Sequence, residues 1–328
     1  MSELLVDKVT FGANGSQVQP GFTGFRNKII NGCFRLWQRG FTQTAVVGYG
    51  SDDRWYNNNT GSTKSISIQT FPFGQTDVPT VSKHFSRYVV TSVAGADNFA
   101  VKQQRLEFIR NYSDKTVTLS FWAKADAVRN MSVDLAQNFG TGGSPSAAVT
   151  GIGATKFTLG TSWQRYTLTA NLPSIFGKTE GSDDNSFLEL TFWFDAGSTF
   201  NSRTDTLGQQ SGTFDLSSVQ LEEGYVATPF EDRQYGIEFN LCRRYFENHG
   251  LNIMGFSAAA NNAIGITHSF YPKRKVPTFT RYSQTEASNA QAPFEFQYTT
   301  SMTARVLVRG AAQGQVVYSG IYWIDAEL

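Results

Sequence analysis

Several segments of the chain place apolar residues at every second position, which is the spacing of one face of a β-strand. Examples are the sets Ile66 and Ile68; Tyr88 and Val90; Val117, Leu119, Phe121 and Ala123; Tyr166 and Leu168; Leu188, Leu190, Phe192 and Phe194; and Ala304, Val306 and Val308. Turn-forming clusters separate these segments, as a β-sandwich requires. The 328 residues include 27 Phe, 13 Tyr and 6 Trp, an aromatic content typical of all-β proteins. The pattern therefore predicts an all-β chain long enough for two domains.

A change of pattern occurs between residues 214 and 246. Phe214 and Leu216 are apolar at even positions, whereas Val219 and Leu221 are apolar at odd positions, so a bulge is expected between them. Beyond the strand, at residues 237, 241, 242 and 245, the apolar spacing becomes helical. The stretch is predicted to be a closing strand, a turn and a short linker helix whose Arg243 and Arg244 pair with acids such as Glu238 or Glu247.

Charge and cysteine content exclude several classes of protein. The chain has 28 basic and 27 acidic residues without a long Lys/Arg run, which argues against nucleic-acid binding. Two cysteines, Cys33 and Cys242, are too few for a disulfide scaffold and are expected to be buried thiols. No apolar run reaches the roughly 20 residues needed to span a bilayer, so no membrane insertion is expected.

Two tryptophans lie on the polar side of their strands. Trp122 shares its parity with Ser120 and Lys124, and Trp193 shares its parity with Glu189 and Asp195. Aromatic rings stack on the C–H faces of sugars while carboxylates bind the hydroxyls, so a sheet face holding Trp122, Trp193, Glu189 and Asp195 is a candidate glycan site. The alternative is that a loop or a neighbouring subunit covers these rings.

Asp52, Asp53, Arg54, Trp55 and Tyr56 form a second cluster of acids and aromatics. Trp55 or Tyr56 could stack on a sugar from a loop. The favoured interpretation is structural, with Arg54 paired to an acid and Trp55 in the core.

Signals for catalysis are weak. The sequence has no nucleophile elbow, zinc-protease motif, phosphate-binding loop or dinucleotide fingerprint. Glu189 and Asp195 lie six residues apart on one strand, roughly 20 Å at about 3.3 Å per residue, too far to act as a glycosidase pair. The three histidines lack zinc-ligand spacing. We expect no catalytic residues, no metal and no cofactor.

Three segments resemble virion proteins of tailed bacteriophages, mostly tail-fibre or receptor-binding proteins with a jelly roll similar to carbohydrate-binding modules. They are VQLEEG, ATPFE and CRRYF within residues 219–246, FRNKIINGCFRLWQRG at residues 25–40, and IDAEL at residues 324–328. The resemblance implies that the N-terminal segment attaches to other virion proteins and that the protein is a homotrimer. Such jelly rolls often hold calcium near an N-G-D-F-E run, but Cys33 and Arg35 replace both acids here, which argues against calcium at this place.

Four units are expected: an N-terminal virion-anchoring segment (1–24), a carbohydrate-binding-like jelly roll (25–231), a linker helix (232–248) and a small C-terminal β-sandwich (249–328) in which residues 283–293 form an exposed loop. The function expected is that of a non-enzymatic tail or head fibre, made in the host cytoplasm, located in the virion, and binding host surface polysaccharide. The alternative is a structural decoration or adaptor protein without glycan binding. A depolymerase is the third possibility.

Overall fold

Two antiparallel sheets packed face to face form the larger part of the molecule. The computed structural model describes residues 9–11, 16–18, 24–80 and 82–328. A five-stranded and a six-stranded sheet enclose one hydrophobic core as a jelly-roll sandwich, and a second, smaller pair of sheets follows a short helix. The predicted all-β fold, in which a jelly-roll sandwich is followed by a short helix and a second small set of sheets, is confirmed.

Thirteen described strands precede the linker helix. In chain order they are β1 (Val9–Phe11), β2 (Ser16–Val18), β3 (Thr42–Gln43), β4 (Tyr56–Thr60), β5 (Thr63–Thr70), β6 (His84–Thr91), β7 (Phe99–Glu107), β8 (Thr116–Ala125), β9 (Arg129–Asn138), β10 (Val149–Leu159), β11 (Gln164–Asn171), β12 (Phe187–Ala196) and β13 (Gly212–Glu223). The five-stranded sheet has the order β10-β9-β12-β7-β4, and the six-stranded sheet has the order β11-β8-β13-β6-β5-β3. Two 3₁₀ turns (Ile109–Tyr112 and Ser198–Phe200) and the one-turn helix α1 (Asn201–Thr204) lie in the connections.

The alternating apolar residues form the core of this sandwich. Every second residue of β8 and β12, including Phe121 and Phe192, is buried between the sheets. The residues between them point to the outer faces, since successive side chains of a strand alternate. The sandwich therefore has two outer faces, one on each sheet.

The predicted bulge in β13 is confirmed. The register with β8 shifts between Ser217 and Gln220, and Ser218 has a φ of 51°. The Val219 N–H donates to the carbonyl of Gly32 at 2.9 Å. A Cβ on Gly32 would lie 2.1 Å from the Val219 oxygen, so only glycine allows this approach. The bulge thus binds the first segment of the sandwich at Gly32.

The linker helix is shorter than the predicted range 232–248. Helix α2 spans Tyr235–Arg243, and the next strand begins at Phe246. Ile237 is 39% exposed, because Glu238 takes the buried position and accepts from Arg233 at 2.9 Å. Arg243 pairs with Glu247 at 2.5 Å, as predicted.

The C-terminal unit consists of two three-stranded sheets. Its strands are β14 (Phe246–Ser257), β15 (Ala263–Ser269), β16 (Thr278–Ser288), β17 (Ala290–Gln297), β18 (Thr303–Gly310) and β19 (Gly314–Asp325), in the orders β14-β19-β16 and β15-β18-β17. The expected loop at residues 283–293 is wrong, since these residues lie mostly in β16 and β17. Both are edge strands, and an edge strand tolerates polar residues because it faces solvent.

The N-terminal segment is described only in part. β1 and β2 pair antiparallel, with Val9 opposite Val18. Asn14-Gly15 is a sequence signal for a hairpin turn, and these two residues lie outside the described residues. Across the described ranges, no helix is both long and apolar enough to cross a membrane.

Candidate functional site

The two outward tryptophans lie on opposite sides of the sandwich. Trp122 belongs to β8 in the six-stranded sheet, and Trp193 belongs to β12 in the five-stranded sheet. The predicted single face holding both is therefore wrong. Strand parity shows that a side chain points away from the core, but it does not show which sheet carries the strand.

Trp193 is covered by the chain that connects β12 to β13. It is 2% exposed and packs with Phe99, Phe200 and Leu207. Its Nε1 donates to Asp134 Oδ1 at 2.8 Å. This ring has the packing role that was the alternative to sugar stacking, and it is not an accessible platform.

The two acids beside Trp193 are engaged within the protein. Asp195 is fully buried and accepts hydrogen bonds from Ser62 Oγ at 2.6 Å and Ser92 Oγ at 2.8 Å. Glu189 lies between Arg105 at 3.5 Å and Arg203 at 3.7 Å. Burial raises the pKa of Glu189, although both arginines oppose this. Neither acid is placed to receive sugar hydroxyls, contrary to the prediction from strand parity.

The cluster around Trp55 is structural, which was the favoured interpretation. Trp55 is fully buried, and its Nε1 donates to the Asn31 carbonyl at 3.1 Å. Arg54 pairs with Glu327 near the end of the chain. Tyr56 is half-buried, with the Arg105 guanidinium 4.4 Å from its ring centroid. The structure does not bring these residues together with Trp122.

Trp122 is the outward tryptophan that remains partly exposed. It packs against a buried apolar cluster formed by Phe71, Val78 and Phe85, and the half-buried Trp163 packs against the same cluster. The Trp163 ring lies 5.2 Å from Phe85 and 5.5 Å from Phe71, measured between ring centroids. We call Trp122, Trp163 and their polar neighbours Lys124, Arg165 and Asp215 the Trp122 surface.

Charged groups surround the two rings of the Trp122 surface. Lys124 Nζ lies 5.3 Å from the Trp163 ring centroid and 3.8 Å from Asp215 Oδ2. Asp215 also binds Arg87 through two contacts of 2.7 and 2.9 Å. Arg165 pairs in register with Trp122 and donates to Ser120 Oγ at 3.1 Å. Lys124 is half-buried and Arg165 is exposed, whereas Asp215 is buried. Flat rings beside such cationic donors can hold a sugar ring and its hydroxyls.

Sequence reasoning missed Trp163 as a partner of Trp122. Trp163 stands one residue before β11, and the register between β11 and β8 pairs Gln164 with Ala123. That register brings Trp163 beside Lys124. A pairing between strands about 40 residues apart is set by loop length and packing, so the spacing of residues along the chain contains no signal for it.

Phe73 was missed as well. It lies in the connection between β5 and β6, two residues after Phe71, and is fully exposed. The backbone of this connection closes on itself, with Phe71 N–H donating to the Lys83 carbonyl at 2.9 Å. The Phe-Pro-Phe-Gly run was a visible signal, because Pro and Gly mark a turn and connecting segments lie at the surface.

Possible metal ligands are dispersed. Within the described residues, no three His, Cys, Asp or Glu side chains group together as a metal site requires. Cys33 and Cys242 are free and buried, as expected, and burial raises the pKa of the Cys33 thiol to about 11.

Comparison with known proteins gives no family. No family model matches the sequence, and no curated protein matches it. Among solved structures, the enzymatically active domain of tailspike protein 4 of bacteriophage CBA120 aligns with 61% of this chain at 12% identity and a TM-score of 0.34. The aligned part spans only 22% of that tailspike chain.

Two carbohydrate-binding modules align with a similar share of the chain. One is the family 11 module of Clostridium thermocellum in complex with a mixed-linked tetrasaccharide (TM-score 0.33, 11% identity, 57% of this chain and 98% of that chain). The other is a xylan-binding domain from Paenibacillus barcinonensis (TM-score 0.30, 8% identity, 58% of this chain and 99% of that chain). Similarities this weak establish no shared ligand.

Proposed function

We propose that the protein is a non-enzymatic fibre component of a tailed-bacteriophage virion, in the tail or the head, that binds a glycan on the host cell surface. The observation that carries the glycan-binding part is the Trp122 surface, where two tryptophan rings stay partly exposed among charged side chains. The phage part is supported by the resemblance of residues 25–40, 219–246 and 324–328 to virion proteins. The protein is made in the host cytoplasm and is carried in the virion.

The fibre is proposed to be a homotrimer that attaches to other virion proteins through its N-terminal segment. Met254 and Phe256, on β14, are 68% and 67% exposed. Large apolar side chains this exposed favour packing against another chain. Three weak sugar contacts on one fibre would gain avidity through effective concentration.

The test is binding of labelled full-length protein to host cells and to their isolated surface polysaccharide, with the mass measured by light scattering. Trp122→Ala should leave the fold intact and weaken binding by about 2 kcal/mol, roughly thirtyfold in Kd, as truncation of an aromatic anchor does. The matched control is Phe176→Ala, which removes an almost fully exposed aromatic in the loop after β11 and should leave binding unchanged.

Other outcomes separate the alternatives. A trimer that binds neither cells nor polysaccharide would support a structural decoration or adaptor. Release of reducing sugar from the polysaccharide would identify a depolymerase and overturn the non-enzymatic assignment. Equal losses from Trp122→Ala and Phe176→Ala would remove the Trp122 surface from the proposal.

A further inference from the structure

A polar cavity lies where the sandwich meets the chain that leaves helix α2. Its volume is about 190 Å³, and its wall includes Lys28, Arg54, Gln104, Phe108 and Tyr245. Gln104 holds the chain at Ile30 in place, because its side-chain amide accepts from the Ile30 N–H and donates to the Ile30 carbonyl, both at 2.8 Å. The cavity shares no residue with the Trp122 surface.

Arg54 brings a buried hydrogen-bond donor to this wall. Its side chain is 1% exposed, with Nη1 paired to Glu327 and Nη2 donating to the Arg105 carbonyl at 2.7 Å. Its Nε has no hydrogen-bond partner among the residues that the structure describes. The guanidinium lies 3.3 Å from the Tyr245 ring centroid, which holds it in place. A buried N–H group without a partner is uncommon in folded proteins, and an acceptor brought by a ligand would satisfy it.

The charges of the wall favour an anionic ligand. Lys28, Arg54 and Arg105 contribute positive groups; Lys28 Nζ donates to the Phe25 carbonyl at 3.2 Å, and Arg105 lies 3.5 Å from Glu189. The acid of the wall, Glu107, is engaged by Arg244 at 3.0 Å and Arg274 at 3.1 Å. Glu107 therefore has two cationic partners, whereas Arg54 has one acidic partner, Glu327, so positive groups outnumber negative ones around the wall.

Phe108 supplies a flat apolar wall at an energetic cost. Its φ of 63° lies in the left-handed region, which is unfavourable for a bulky side chain, and the residue is 43% exposed. Two backbone hydrogen bonds fix it there: its N–H donates to the Ser186 carbonyl at 3.0 Å, and its carbonyl accepts from Asn111 at 2.9 Å. Strained residues persist where the surroundings determine them, often at ligand sites.

We propose that this cavity binds a small carboxylate-bearing sugar, with Lys28 and Arg54 facing the carboxylate and the Phe108 ring facing the C–H side of the sugar. The choice of a sugar rests on the proposed glycan-binding function, whereas the preference for an anion rests on the wall itself. A phosphate group offers similar acceptors, so the experiment must separate the two.

The experiment is calorimetric titration of the full-length protein with glucuronate, glucose and inorganic phosphate. Glucuronate should bind, with glucose and phosphate at least about tenfold weaker, since only glucuronate offers both a carboxylate and a C–H face. Lys28→Met should weaken the affinity for glucuronate by about tenfold. Lys178→Met removes an exposed lysine elsewhere on the sandwich and should leave the affinity unchanged.

Phe108→Gly separates a binding role from a structural one. Glycine relieves the left-handed backbone, so the thermal midpoint should stay the same or rise while glucuronate affinity falls. A lower midpoint with unchanged affinity would assign Phe108 to packing and overturn its place in the site. Absence of saturable glucuronate binding, or tighter binding of phosphate than of glucuronate, would overturn the proposal. Trp122→Ala should not change these titrations. A failure of host binding alone would therefore contradict the proposed function of the Trp122 surface but not the proposed cavity site.

Discussion

The two outer faces of the sandwich carry the same sequence signal and have opposite structures. Trp122 and Trp193 each interrupt the polar side of a strand. The connection between β12 and β13 covers Trp193, which donates a hydrogen bond to Asp134. Trp122 stays partly exposed at the edge of an apolar cluster. A tryptophan on the polar side of a strand therefore indicates that a partner outside the core contacts its ring. That partner is either another segment of the same chain or a ligand.

The difference lies in the connecting segments. On the five-stranded side, the chain between β12 and β13 folds back as short helices, and Ser132 Oγ donates to the Thr204 carbonyl at 2.6 Å. Arg203 binds Asp134 at 2.8 Å and thereby ties this cover to the sheet. On the six-stranded side, the connection between β5 and β6 places Phe71 and Val78 over the sheet but leaves Trp122 at their margin.

The largest effect that separates the faces should come from Trp193→Ala. Truncation of a buried tryptophan typically costs about 3–5 kcal/mol in the free energy of unfolding, and Asp134 would also lose a donor. Trp122→Ala, at a partly exposed ring, should cost about 1 kcal/mol. Urea unfolding of both variants measures the difference. Equal losses would mean that Trp122 is packed as tightly as Trp193 and is not available to a ligand.

The second comparison uses one Arg–Asp pair from each face. Arg203 pairs with Asp134, which is fully buried, and Arg87 pairs with Asp215, which Lys124 also approaches. Arg203→Met should cost about 2–3 kcal/mol, because it leaves a buried carboxylate without its cation. Arg87→Met should cost about 1 kcal/mol or less, since its guanidinium is more exposed and Lys124 remains. The reverse order in urea unfolding would contradict the assignment of the covered face.

Much of the fold could be predicted from alternation alone. The core residues of β8 and β12, the bulge near Ser218 and the turn after β13 all follow from local spacing, which the strand geometry imposes directly. Helix α2 was predicted too long, because Phe246 satisfies a helical pattern as well as it satisfies the strand that pairs with β19.

The candidate site was harder to predict, because it depends on strand order. Trp122 and Trp193 read alike in sequence, yet their strands belong to different sheets. Trp163 reaches the Trp122 surface only through the register of β11 on β8. Strand order and register across long connections are non-local properties, and a single sequence contains no local signal for them.

A third comparison uses one aromatic from each connecting segment. Phe200 packs on Trp193 with ring centroids 5.1 Å apart, whereas Phe73 is fully exposed. Phe200→Ala should cost about 1–2 kcal/mol, and Phe73→Ala less than about 0.5 kcal/mol. If the β5–β6 connection contributes to glycan binding, Phe73→Ala should weaken binding to host polysaccharide by roughly threefold to fivefold. A measurable loss of stability in Phe73→Ala would show that this ring packs against another chain.

The smallest effect concerns pH, and its sign should differ between the two sides. Burial raises the pKa of Glu189 on the covered face, whereas the hydrogen bond from Arg129 lowers the pKa of Asp126 at the end of β8. A carboxyl with a raised pKa binds its proton more tightly in the folded state, so its contribution to stability is present at low pH and is lost as pH rises through that pKa. The contribution of Asp126 has the opposite sign and is lost as pH falls. Carboxyl ¹³C titration should place Glu189 above the ordinary value of about 4.3 and Asp126 below about 3.9. In the Glu189→Gln variant, the fall in stability with rising pH should disappear. If Glu189 of the native protein titrated below its ordinary value, the chain that covers this face would have to open to water.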